Sequence, residues 1–275
     1  ALLDERATFM GQWGLKPSRA DDGASYEELV ETEGRPRLRY WLDRILAEGI
    51  LDASVVYGYF PAYAEGDDMV ILNHGDDPSG VLGHAGLLAP DGGSLELPGG
   101  GALGTERLRF TFPRQRRDRH LCLSDFVKGK ETGEIDVVGF QLVTVGATVD
   151  TFTAKMFAEN QYRDYMELNG LAMQLTESLA EYWHSRVRAE LGYSAEDPAD
   201  VAGLFKLDYR GARFSLGYPA CPDMEDRRKV VTLLRPERGQ ALRGMDGQFG
   251  HQPLGRLQAH PGALQLRHVV RARSE

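Results

Sequence analysis

Ten consecutive residues, Arg213-Phe-Ser-Leu-Gly-Tyr-Pro-Ala-Cys-Pro222, carry the densest chemistry in the chain. Gly217 permits a tight turn and a close approach of backbone to ligand, and Pro219 and Pro222 stiffen the residues after it. A rigid loop with accessible backbone N–H and C=O groups suits the edge of an adenine ring, which main chain alone can read. Tyr218 can add an aromatic surface, and Arg213, four residues before the turn, offers a planar fork for a carboxylate. The same residue types also fit a purely structural loop between two elements, and the types alone leave both readings open.

Other candidates are weaker. Gly99 to Thr105 has the spacing of a phosphate loop, but Ala102-Leu103 precede Gly104-Thr105 and the essential lysine is missing. No Gly-x-Gly-x-x-Gly opens a strand–helix unit, so a flexible loop is the better reading. The seven histidines show no zinc-ligand spacing. His184 falls beside core positions of a long helical pattern and reads as structural. Cys221, between Ala220 and Pro222, has no base nearby in sequence. An independent enzyme built on that thiol is the third-ranked function class. No residue is singled out as catalytic or metal-binding.

The elements that must position the Arg213–Pro222 stretch follow from periodicity. Tyr26 to Glu48 repeats apolar residues at helical spacing, with Pro36 implying a start or kink and Gly49 a stop. Ser54 to Tyr63 and Met69 to Leu72 are β-rich, with a hairpin turn expected at Asp67-Asp68. Residues 73–107, rich in Gly, Pro and Asp, read as a flexible insertion. Leu108 to Phe112, Leu121 to Val127 and Ile135 to Val145 follow as strands, the last apolar enough to be central and buried. Phe152 to Leu191 is the strongest helical signal, with a possible division near Asn169-Gly170, and a short helix is expected at Ala199 to Phe205. Strands lead and long helices follow, which predicts an α+β fold rather than a doubly wound sheet.

At 275 residues and 30.5 kDa, with 42% hydrophobic and 27% charged residues, the composition is that of an ordinary soluble globular protein of one large domain or two small ones. Residues 227–275 carry ten basic side chains against three acidic ones, leaving the rest strongly acidic within a net charge of −9. Such a body repels nucleic acid. No apolar run approaches the roughly 18 residues needed to span a bilayer, and the first residues lack a signal-peptide pattern. Cys122 and Cys221 lie far apart, which favours a reducing, cytoplasmic setting. The missing initiator Met suggests a fragment or a processed product.

Arg213-x-x-x-Gly-Tyr-Pro-Ala-Cys-Pro resembles the signature of the activation domain of cobalamin-dependent methionine synthase. Other segments agree in order: Phe60-Pro61-Ala62 with Gly66-Asp67-Asp68, Phe112-Pro113-Arg114-Gln115, Leu121-Cys122-Leu123-Ser124-Asp125-Phe126, and Ala180-Glu181-Tyr182-Trp183-His184-Ser185-Arg186-Val187-Arg188. The resemblance covers about residues 1–235. It implies one domain over 1–275: a C-shaped α+β domain around a central antiparallel sheet with long helices, not a Rossmann methyltransferase.

By that resemblance, S-adenosylmethionine lies beside the Gly217–Pro222 loop. Arg213 pairs with its carboxylate, Tyr218 and Ala220 present main-chain groups to its adenine, and Gly217 and Pro219 shape the loop. Asp4 contacts the ligand ammonium, and Glu177 is a second acidic partner. The implied function is reactivation: the methyl donor is presented to cob(I)alamin during reductive methylation, with an electron from a flavodoxin-like or flavoprotein reductase. Cobalamin belongs to a neighbouring domain of the same polypeptide, since this chain has no Asp-x-His-x-x-Gly motif; alone, the chain should bind ligand without turnover. Residues 236–275 form a divergent tail, with His260-Pro261 present but Gln265 and Leu266 at places where the family carries aromatics. The alternative is a non-catalytic docking module for a reductase, with a degenerate ligand site.

Overall fold

A computed structural model describes residues 2–17, 23–73 and 104–235, together with the backbone of a strand at 264–270. Most of the insertion read at 73–107, and with it most of the Gly99–Thr105 loop, lies outside the described residues, as does His260-Pro261. The described residues fall into two compact units. One combines the residues up to Ser54 with Val143–Glu181 and positions 264–265; the other combines Val55–Leu142 with residues 182–235 and 266–270.

In the first unit, helix α1 (Tyr26–Leu29) starts at Ser25, whose hydroxyl accepts the Glu28 N–H at 3.1 Å. A π-helical turn, Val30–Gly34, joins it to α2 (Arg35–Glu48). Pro36 sits in the first turn of α2, directly after the π-helical turn. Gly49, at φ 62°, ends the helix in the left-handed conformation. Leu38, Trp41 and Ile45, spaced three and four apart, bury one stripe against Phe9, Leu168 and Leu171.

Two helices complete this unit's framework, α3 (Thr148–Ala158) and α4 (Tyr162–Glu190), the latter reaching residue 181 here. The break expected near Asn169-Gly170 lies instead at Asn160, whose φ of 60° is one that asparagine tolerates, and the Gln161 N–H closes the end on the Met156 carbonyl at 2.8 Å. Gly170 sits inside α4 because of what passes over it: a Cβ there would lie 2.7 Å from Cβ of Gln12.

The fully buried Trp41 needs a partner for its indole N–H, and Glu167 supplies it at 2.9 Å. The other Glu167 oxygen accepts from Arg163 Nε at 2.9 Å, and its main-chain carbonyl accepts from Trp13 at 3.0 Å. One carboxylate thus ties α4 to α2.

The second unit is built on a six-stranded sheet. Its strands are β1 (Ser54–Glu65), β2 (Asp68–Leu72), β3 (Glu106–Thr111), β4 (Asp136–Thr144), β5 (Ala212–Ser215) and β6 (Leu264–Val270), in the spatial order β3-β2-β1-β4-β6-β5. β1 and β2 pair antiparallel through a two-residue turn, Gly66-Asp67, with Gly66 at φ 62°. β2 pairs antiparallel with β3, and β5 with β6. β4 is buried along its whole length, as its apolar run predicts for an interior strand. One face packs Tyr57, Tyr59 and Val137 against Trp183 and Val187 near the end of α4, and both tyrosine hydroxyls donate to Glu190, at 2.9 and 2.6 Å. Elsewhere Phe110 stacks on Phe140 at 5.2 Å, and Lys229 of α5 (Asp226–Leu234) lies over the Phe110 ring.

One expectation is corrected here. Leu121 to Val127 is not a strand: Leu123–Phe126 is a 3-10 turn, because Asp125 accepts the Cys122 N–H at 2.8 Å and is gripped by both ends of the Arg114 fork. Within the segment 236–275, β6 lies between β4 and β5.

The Trp41–Glu167 bond gives a stability test. Glu167→Ala should lower the unfolding free energy in urea by about 2 kcal/mol, by orphaning a buried indole N–H. Arg163→Ala, removing an exposed partner of the same carboxylate, should leave the urea midpoint essentially unchanged.

Candidate functional site

β5 lies at one edge of the sheet, and its neighbour fixes its register: Arg213 pairs with Val269 of β6. Successive strand residues point to opposite faces, so Arg213 and Ser215 share a face that Phe214, packed against Phe126 at 6.0 Å, does not. Arg213 is half-buried and donates from Nη1 to the Tyr209 hydroxyl at 3.2 Å.

The loop after β5 is closed by its own backbone. The Gly217 N–H donates to the Cys221 carbonyl at 2.9 Å, and the Cys221 N–H returns to the Tyr218 carbonyl at 2.9 Å. Gly217 takes φ 94°, and a Cβ there would lie 2.5 Å from Sδ of Met224, so both conformation and space demand glycine. These bonds hold Tyr218, Pro219 and Ala220 out as the tip of a tight turn. Tyr218 is 63% exposed, an amphipathic ring presented to solvent. Among the described residues the Ala220 N–H makes no backbone hydrogen bond, which leaves a main-chain donor at the tip.

Cys221 belongs to the scaffold of the turn. Its thiol is buried and lies 2.9 Å from the Ser215 carbonyl, in position to donate to it, and burial pushes its pKa up to about 11. A thiol that holds its proton so tightly is a poor nucleophile at neutral pH, which counts against an enzyme built on it.

Behind Arg213 stands a layer that the sequence motif does not contain. Tyr209 is flanked by Arg188, whose guanidinium carbon is 3.9 Å from the ring centroid, and meets His184 edge-on at 5.2 Å. Arg188, 1% exposed, is held by both oxygens of Asp197 at 2.7 and 3.0 Å. Its Nη1 lies 2.6 Å from His184 Nδ1; since arginine cannot accept, that ring nitrogen is the acceptor and the imidazole is neutral. The trace of this layer in the sequence is the placement of His184 and Arg188 four apart on a helix face that also carries Ala180 and Val187.

The structure therefore brings Arg213, Gly217, Tyr218, Pro219 and Ala220 together on one strand–turn segment of the second unit. Asp4 and Glu177 belong to the first unit. Asp4 caps a helical turn: its Oδ1 accepts the Ala7 N–H at 2.8 Å, and its carbonyl accepts the Thr8 hydroxyl at 2.8 Å. Glu177 is half-buried on α4. Among the described residues no group of acidic, histidine or cysteine side chains could hold a metal ion.

The sequence model of the family described as "Vitamin B12 dependent methionine synthase, activation domain" matches residues 38–243. Methionine synthase of Mycobacterium tuberculosis is 52% identical over 248 residues, covering 86% of this chain and 19% of that protein. Methionine synthase of Mycobacterium leprae is 51% identical over 248 residues, covering 86% and 18%. The chain thus spans about a fifth of the length of these relatives. Among solved structures, the MetH reactivation domain bound to AdoHcy superposes with a TM-score of 0.68 at 24% identity, covering all of this chain and 75% of that one. At that identity the likeness speaks for the fold, a mixture of helices and antiparallel sheet rather than a Rossmann fold. With three quarters of its length matched by the family's own pattern, and the Arg213–Pro222 turn inside that match, this chain belongs to the family of vitamin B12-dependent methionine synthase activation domains.

Proposed function

We propose that this chain binds S-adenosylmethionine and presents its methyl group for the reductive methylation of a cobalamin held by another domain of the same polypeptide. The observation that carries the reading is the Arg213–Pro222 segment: a tethered guanidinium on an edge strand, followed within one turn by a rigid loop with an exposed aromatic ring and a main-chain donor. Arg213 would take the ligand carboxylate with a charge-assisted fork. The Ala220 N–H and its neighbouring carbonyls would read the adenine edge, and the Tyr218 ring would cover one of its faces. Gly217 and Pro219 keep the loop in its bound shape before the ligand arrives, so little ordering cost falls on binding. Asp4 and Glu177 would complement the ammonium and sulfonium charges; the Asp4 carboxylate already caps a helix, which leaves its second oxygen for that role.

The bound ligand would supply an electrophilic methyl group, and the task of this chain is to orient it. Orientation calls for no general acid or base, in keeping with a site built from a cation, backbone and an aromatic ring. The isolated chain would bind without turnover, within a cytoplasmic methyltransferase that makes methionine and takes an electron from a flavodoxin-like or flavoprotein reductase. One observation favours a docking module without ligand: Gln265 and Leu266 stand where the resemblance expects aromatics.

Titration calorimetry with S-adenosylmethionine separates the two readings, because neither heat nor a thermal shift is expected from a docking module. On the leading reading, Arg213→Ala should weaken binding by about 1.5–3 kcal/mol; an unchanged affinity removes Arg213 from the site.

Cys221 gives an independent check. Because its folded pKa is about 11, alkylation by iodoacetamide should be slow at pH 8 and rise about tenfold per pH unit up to that value. Cys221→Ser should retain ligand binding. Rapid modification at pH 8, or loss of a turnover activity in that variant, would point instead to thiol chemistry.

A further inference from the structure

Tyr209 lies four residues before Arg213 and outside the turn, yet its hydroxyl accepts a hydrogen bond from the Arg213 guanidinium at 3.2 Å. A solvated arginine samples many rotamers and loses that freedom when it grips a carboxylate. A hydroxyl can restrain it beforehand only if the tyrosine is itself immobile. Here the ring is fixed from two sides, by the Arg188 guanidinium 3.9 Å from its centroid and by the edge of His184. Both are essentially inaccessible to solvent, and Arg188 is clamped in turn by both oxygens of Asp197. The order of support therefore runs Asp197, Arg188, Tyr209, Arg213, with His184 closing the side of the cluster.

We propose that Tyr209 is a positioning residue for the ligand-binding arginine: held by the buried Arg188–Asp197 pair, it fixes the Arg213 guanidinium in a carboxylate-ready orientation before ligand arrives. The inference rests on the reading of Arg213 given under Proposed function. The Tyr209 hydroxyl serves as acceptor and restricts the plane of the Arg213 guanidinium. Nothing is transferred, and the tyrosine need not touch the ligand.

Tyr209→Phe removes the acceptor and keeps the ring between Arg188 and His184. The variant should unfold at the wild-type temperature and bind S-adenosylmethionine roughly 3- to 10-fold more weakly, the worth of one hydrogen bond. The loss should vanish for decarboxylated S-adenosylmethionine, and it should also vanish in an Arg213→Ala background, because Tyr209 acts through that side chain. Independently of any ligand, nitrogen-15 NMR should show faster rotation of the Arg213 guanidinium in Tyr209→Phe. If Tyr209→Phe fails to fold, the wild-type protein decides: the Arg213 guanidinium should rotate more slowly than that of the exposed Arg116.

An equal loss for both ligands, an unchanged affinity, or an unchanged rotation rate overturns the positioning role. If neither wild type nor variant binds S-adenosylmethionine, the function reading fails, and the rotation rate still decides whether Tyr209 restrains Arg213.

Discussion

Arg188 is the charge around which the layer behind Arg213 is built. An arginine stays protonated in any protein interior, so a guanidinium shut away from water must be met by an anion, by acceptors and by polarisable faces. All three are present. Asp197 supplies the anion through two parallel bonds, His184 an acceptor nitrogen, and Tyr209 the π face. The demand also constrains its suppliers. Asp197 has to be carried back to the end of α4 by the turn at 194–197, His184 has to stay neutral, and Tyr209 has to lie with its ring against the guanidinium. Of the four, Tyr209 reaches forward to Arg213. A requirement of the interior thereby becomes a geometric property of the edge strand.

What the sequence revealed and what it hid divide along the range of the interactions. Features set within a few residues were legible. Gly49 stops a helix because only the left-handed conformation ends it there, the hairpin expected at Asp67-Asp68 turns one residue earlier, at Gly66-Asp67, and the apolar run of β4 marks an interior strand. The turn at Gly217–Cys221 was equally local, since its glycine and prolines encode its shape. Features set by distant partners were hidden. Leu121–Val127 has the composition of a strand but coils into a 3-10 turn, because Asp125 takes the Cys122 N–H and is gripped by Arg114, eleven residues away. Gly170 resembles a helix break, yet α4 runs through it because the close neighbour is Gln12, on another segment altogether.

The site obeys the same rule. Arg213, Gly217 and Tyr218 were visible because they share one short motif. Tyr209, Arg188 and Asp197 were not, because their meaning depends on contacts across three separate segments. His184 read as a core histidine, and its burial agrees; periodicity could not add that its neighbour four residues on would be a buried cation. Nor could composition foresee that the tail, so unlike the rest in charge, would place a strand beside β5.

That strand bears on the logic of the charge distribution. S-adenosylmethionine carries one carboxylate against an ammonium and a sulfonium, a net charge of +1, while the chain carries −9. On the proposed function, the field of an acidic body draws the cationic ligand in, but the same field repels its carboxylate. A local cation is needed at that one point, and its orientation matters more than its charge, because a guanidinium discriminates through the plane of its N–H groups. The design places that cation on an edge strand, in register with β6 on one side and bonded to Tyr209 through its side chain. Backbone pairing sets where the fork stands; the aromatic behind it sets which way it faces. Neither constraint suffices alone, because a strand fixes Cα but leaves the long side chain free, and a tyrosine contact without a fixed Cα has nothing to aim.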